Sequence, residues 1–182
     1  MAREFNKIAL KLLQEAGQLQ APIDIEAVAI SLGARVSYEP FDEDLSGILV
    51  KEPSRIVIGV NSAHPKTRQR FTIAHEIAHL ALKHEGELFV DQAMKSRSLV
   101  MKRDGKSALA IDRQEIEANQ FAAELLMPES LVLAAVKKRQ DKGSTDFVAT
   151  LAFDFQVSTK AMEYRLTNLG LYMLCLLYTS DA

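Results

Sequence analysis

Apolar residues near the start of the chain recur at helical spacing: Phe5, Ile8, Ala9, Leu12, Leu13 and Ala16 share one face up to Gly17, which can end a helix. Asp24 can cap a second helix that runs to Leu32 and stops at Gly33. The period then changes to two. Val36 and Tyr38 alternate with polar neighbours as a strand, and residues 47–50 and 55–60 read as two more, joined by a turn at Glu52-Pro53-Ser54. From 67 to about 84 there is no Gly or Pro, and Phe71, Ile73, Ala74, Ile77, Ala78, Leu80, Ala81 and Leu82 surround nearly the whole circumference, the pattern of a buried helix. Further helices are expected over 112–127, 129–140, 146–154 and 159–168. Together these predict a single α+β domain over 1–174. Its parts are N-terminal helices (1–33), a small twisted three-stranded sheet (34–62), two helices with an intervening loop (66–127) and a C-terminal helical part (129–171).

The buried helix carries His75, Glu76 and His79. Burying two imidazoles and a carboxylate without partners costs several kcal/mol, so the segment calls for a compensating centre. His-Glu-x-x-His on a helix supplies two zinc ligands and a general base, because residues four apart lie about 40° round the axis and about 6 Å along it. The alternative is that both imidazoles are hydrogen-bonded core residues. A catalytic zinc wants a third protein ligand and leaves its fourth position to water. Over 112–127, Glu115 shares a face with Ala118, Asn119, Ala122 and Leu126, whereas Glu117 and Glu124 lie about 160° to 180° away, beside Arg113 and Gln120. Glu115 is therefore the expected third ligand, Glu117 the fallback, and Asn119 a candidate to hydrogen-bond a ligand from behind.

Composition changes the picture little. The 182 residues are 48% hydrophobic and 25% charged with a formal net charge of −2, which suits a soluble globular protein and gives no global attraction to nucleic acid or acidic membranes. Lys102-Arg103 and Lys137-Lys138-Arg139 are local basic clusters read as solvated faces. The first residues begin an amphipathic helix, not an apolar signal region, and no run approaches a membrane span, so a cytoplasmic protein is expected.

Several blocks resemble the ImmA/IrrE-type zinc metallopeptidases. They are residues 70–80 around His75-Glu76-Ile77-Ala78-His79, residues 115–128 ending Phe121-Ala122-Ala123-Glu124-Leu125-Leu126-Met127-Pro128, then Phe155-Gln156-Val157-Ser158 with Arg165-Leu166-Thr167-Asn168-Leu169-Gly170-Leu171. The resemblance implies a zincin-like fold, one Zn2+ per chain, and a narrow-specificity endopeptidase. Its protein substrate would be a helix-turn-helix repressor or similar partner, whose cleavage derepresses genes of a mobile element, a phage or a stress response. Metal ligands would be His75, His79 and Glu115. The zinc would supply an acidic water and polarise the scissile carbonyl, with Glu76 as the catalytic base. Tyr164 and His64 are the candidates for an oxyanion donor. His84 is expected to be structural, since continuing the helix puts it about 140° from His79 and about 180° from His75.

Three further expectations complete the reading. Gly47, Ile48 and Leu49 are the candidate sheet edge for holding a peptide by strand addition, and residues 91–110 a polar flap. The turn Gln156-Val157-Ser158 before a helix suggests helix-turn-helix DNA binding as an alternative function, although that helix has only Lys160 and Arg165 as cations. A non-catalytic zinc-binding interaction module is the other alternative. Residues 175–182, which hold the lone cysteine, read as a translated sequencing-library adapter and are expected to be a non-native tail.

Overall fold

Contacts divide the chain into two compact units: Asp24–Ala122, and Met1–Ile23 joined to the chain from Ala123 onward. The computed structural model describes residues 2–84, 86, 88–92, 105–140 and 147–172. The predicted tail at 175–182, the pair Lys102-Arg103 and most of the predicted flap lie outside them. No helix among the described residues is long and apolar enough to cross a membrane.

The unit formed by Asp24–Ala122 begins with α2 (Ile25–Ser31), whose cap Asp24 accepts the backbone N–H of Ala27. A mixed sheet follows, built from β1 (Ala34–Glu39), β2 (Leu45–Glu52), β3 (Arg55–Asn61) and β4 (Leu88–Gln92) in the order β1-β3-β2-β4. β1 runs parallel to β3, β2 and β3 form an antiparallel hairpin, and β4 pairs antiparallel with β2. The buried Asn61 side chain bonds the carbonyls of Phe41, Asp42 and Leu45 at 3.3, 3.1 and 2.8 Å, tying the loop that leads into β2 to the end of β3.

The α+β class stands, but two expectations need correction. The sheet has four strands, not three, because the short apolar run Leu88-Phe89-Val90 adds β4 outside β2. Gly47, Ile48 and Leu49 therefore do not form a sheet edge, since β2 is hydrogen-bonded on both sides and the outer strands are β1 and β4. Five residues with Leu88 and Val90 exposed carry too weak an alternation to announce a strand.

Helix α3 (Lys66–Ala81) packs on β2 and β3. Ile73, Ala74, Ile77 and Ala78 are buried with Leu49, Ile58 and Val60, which accounts for the apolar circumference read from the sequence. The approach is close. A Cβ on Gly47 would stand 2.3 Å from Thr72 Cγ2 and 3.5 Å from Glu76 Oε1, so only glycine lets the strand pass under this part of the helix. Pro65 gives α3 no side-chain cap; instead Gln69, buried, donates to the carbonyls of Ser62 and His64 and orders the entering loop.

Helix α4 (Gly105–Leu126) starts earlier than expected and runs through the division between the units. In the other unit its last turn joins α1 (Ala2–Glu15), α5 (Glu129–Gln140), α6 (Phe147–Phe155) and α7 (Thr159–Asn168). Glu124 was grouped with the outward Glu117 but is buried: its carboxylate accepts from Arg165 at 2.6 Å and from Asn6 at 3.0 Å. Arg165 Nε also donates to the Met127 carbonyl at 2.8 Å, satisfying an orphan acceptor at the end of α4. Ser158 caps α7 by accepting from Ala161 N–H.

Candidate metal centre

About two turns of buried helix, Thr72 to His79, position the first part of the site. His75 and His79 are 3% and 1% exposed and Glu76 is fully buried, because α3 is packed on every side in this stretch. On α4, small Ala118 and Ala122 are buried and Glu115 shares their face, as its spacing predicted. The two elements converge. His75 Nε2 and His79 Nε2 are 3.2 Å apart, and the Glu115 carboxylate oxygens lie 3.3 Å from the former and 3.5 Å from the latter. They form a group able to hold a metal ion.

These separations test whether a metal fits. A tetrahedral ion bonded at about 2.0–2.1 Å needs donors about 3.4 Å apart, close to the separation of the two imidazole nitrogens and to that of each Glu115 oxygen from one imidazole. Glu76 gives an independent sign: both its oxygens are buried with no hydrogen-bond partner among the described residues, a costly arrangement unless the site takes up another group. The residues present therefore fit a divalent cation with a water beside Glu76.

Electrostatics point the same way. Burial pushes Glu76 up to about 8; the charges of Asp91 and Glu115 add to this and His75 opposes it. Burial pushes His75 down, but the Glu115 hydrogen bond and the charges of Glu76, Asp91 and Glu115 outweigh it and raise the imidazole to about 9. His79 is lowered to about 3, by burial first and then by the charge of His75. The carboxylates thus concentrate negative potential where the imidazole nitrogens meet, a position that rewards one cation.

Outside the three donors, Asn119 Oδ1 is 3.1 Å from His75 Nδ1. Glu117, the fallback ligand, lies away from the donors, paired with Arg113 at 2.8 Å and 3.4 Å from His84 Nε2. The Arg113 hydrogen bond holds its carboxyl below the usual range. His64 is occupied elsewhere, its Nε2 3.1 Å from the Glu43 carbonyl oxygen. Tyr164 belongs to the other unit and is 61% exposed. His64 is not brought into the donor group.

Two residues near the site gave no usable signal in the sequence. Asp91 on β4 stands opposite Gly47 and acts on both His75 and Glu76. His84 is buried against His79, with Nδ1 to Nδ1 at 2.9 Å. The helical projection failed for His84 because α3 stops at Ala81 and Lys83 turns left-handed at φ 55. The N–H groups of Lys83 and His84 then bond the carbonyls of Leu80 and His79, the two bonds of a Schellman turn. That turn folds His84 back on the ring it would otherwise point away from.

Residues 29–167 match the peptidase family described as the IrrE N-terminal-like domain. The chain belongs to that family. It is also 33% identical over 121 residues to the radiation response metalloprotease IrrE of Deinococcus radiodurans, a stretch covering 64% of this chain and 32% of that protein. The chain thus spans about a third of the length of that curated relative. Family membership implies a metallopeptidase and a divalent metal, in agreement with the His-His-Glu group. The ImmA/IrrE resemblance read from the sequence motifs is thereby established.

Proposed function

We propose that the chain is a zinc-dependent endopeptidase of narrow specificity that works in the cytoplasm and cuts a helix-turn-helix repressor or similar regulatory protein. Cleavage would derepress genes of a mobile element, a phage or a stress response, the last being the branch suggested by the name of the Deinococcus relative. The observation that carries this reading is the convergence of His75, His79 and Glu115 beside an orphaned, buried Glu76.

In this reading His75, His79 and Glu115 hold one zinc ion, which when bound supplies Lewis acidity and lowers the pKa of water towards neutrality. The chain does the rest. Asn119 accepts the Nδ1–H of His75 and so keeps its Nε2 lone pair turned to the other donors. Glu76, with neither oxygen committed to a hydrogen bond, accepts the proton of the attacking water and returns it to the leaving amine. β4, one of the two outer strands, replaces β2 as the candidate edge for a peptide strand, and Leu88 and Val90 are exposed along it.

The test is coexpression with each helix-turn-helix protein that the source genome encodes near the gene, read by intact-mass analysis. A single cut by wild type is expected, abolished by chelator and by Glu76→Gln, with Glu76→Gln retaining one zinc per chain. A Glu76→Gln variant that still cuts would sink the mechanism. Metal binding without any cut would favour the interaction module instead. Direct DNA binding through α7 has little support: Arg165 is 7% exposed and ion-paired with Glu124, leaving α7 only Lys160 as an exposed cation.

A further inference from the structure

His75 and His79 face each other through Nε2, so a metal held there requires the proton of each ring on Nδ1. For His75 the acceptor is Asn119 Oδ1 at 3.1 Å. For His79 it is another imidazole, His84 Nδ1 at 2.9 Å. A proton can occupy only one of those two nitrogens in a neutral pair. His79 Nδ1–H must therefore donate, His84 Nδ1 must accept, and the His84 proton must sit on Nε2. That nitrogen is buried outside hydrogen-bond geometry, with the Glu117 carboxylate 3.4 Å away to favour an N–H there. Arg113 holds Glu117 from the far side at 2.8 Å. The backbone supports the same arrangement, since His84 N–H bonds the His79 carbonyl and the His84 carbonyl accepts from Lys51 Nζ at 2.8 Å. Phe89 closes the other side of His79, ring centroids 4.3 Å apart.

We propose that His84, oriented by Glu117, is a positioning residue that locks His79 in its Nδ1–H tautomer and aims Nε2 at the metal. The inference rests on His75, His79 and Glu115 being the ligands. It makes the left-handed turn at Lys83 part of the site, because that turn brings His84 to His79.

The test is zinc affinity of the full chain by competition with a chromophoric chelator, for wild type, His84→Leu and His84→Asn, with histidine tautomers read by long-range 1H–15N NMR. Asn can place an amide oxygen near the position of Nδ1, whereas Leu fills the space without an acceptor. His84→Leu should weaken zinc by about 10–100-fold, the usual effect of losing a partner behind a ligand, while His84→Asn stays within about threefold of wild type. The Nδ1–H signature of His79 should persist in wild type and His84→Asn and become mixed with the other tautomer in His84→Leu. Wild type binding one zinc with His84→Leu unchanged overturns the inference and leaves the ligand set intact. An equal loss in both variants overturns it as well, since the acceptor would then not be the cause. Failure of wild type to bind zinc overturns the ligand set itself.

Discussion

Glu76→Gln should make the protein more stable while it abolishes catalysis, and the gain should grow with pH. The Glu76 carboxyl is fully buried, without a hydrogen bond, and raised from 4.5 to about 8. Gln is the isostere of the protonated acid, so the polar burial is shared and only ionisation differs. Below pH 4.5 both the folded and unfolded chains keep the proton and wild type loses nothing. Between 4.5 and 8 the unfolded chain releases it while the folded chain retains it, so wild-type stability falls as pH rises. At up to about 1.4 kcal/mol per pH unit, less near each pKa, the gap between variant and wild type should widen by about 3.5 kcal/mol from pH 5 to pH 8. Urea unfolding followed by far-UV circular dichroism, with chelator present to remove metal, measures it at each pH. A gap equal at pH 5 and pH 8, or a variant less stable than wild type at both, would refute the claim that Glu76 is held as a strained, buried base.

Other expectations concern the surroundings of that carboxylate. Gly47→Ala puts a methyl 2.3 Å from Thr72 Cγ2, and should cost about 1–3 kcal/mol and slow catalysis by shifting Glu76 without removing zinc. Thermal melts and metal content check this, and Thr72→Ser, which removes that methyl, should restore much of the loss. Arg165→Leu leaves Glu124 buried without its cation and should destabilise by about 3–5 kcal/mol in denaturant unfolding, whereas the double change with Glu124→Gln should cost clearly less. Zinc at one hundred times its Kd should stabilise wild type by about 2.7 kcal/mol over the chelated protein. Differential scanning calorimetry should find that increment lost in Glu115→Ala and only reduced in Glu117→Ala, where His84 loses the carboxylate beside it.

Much of the site was readable without coordinates because one helix carries most of it. The spacing of His75, Glu76 and His79 fixes their relation within α3, and the face shared by Glu115, Ala118 and Ala122 selected Glu115 over Glu117. The same projection went astray where a helix ends or serves two cores. His84 lies past a left-handed residue, so its angle round α3 is meaningless, and Glu124 looked outward only because its partner Arg165 is 41 residues away in sequence.

Local periodicity determined the helices, the β2–β3 hairpin and the choice of the three candidate donors, since these depend on the repeat of a regular backbone and on the cost of burying charge. Tertiary structure alone decided that β4 takes the sheet edge from β2, that Gly47 is needed for the passage of β2 under Thr72 and Glu76, and that His84 stands behind His79. The first two turn on pairings between segments far apart along the chain, and the third on a left-handed turn at Lys83 that breaks the helical repeat. Their geometry is set by packing, and leaves no period in the sequence.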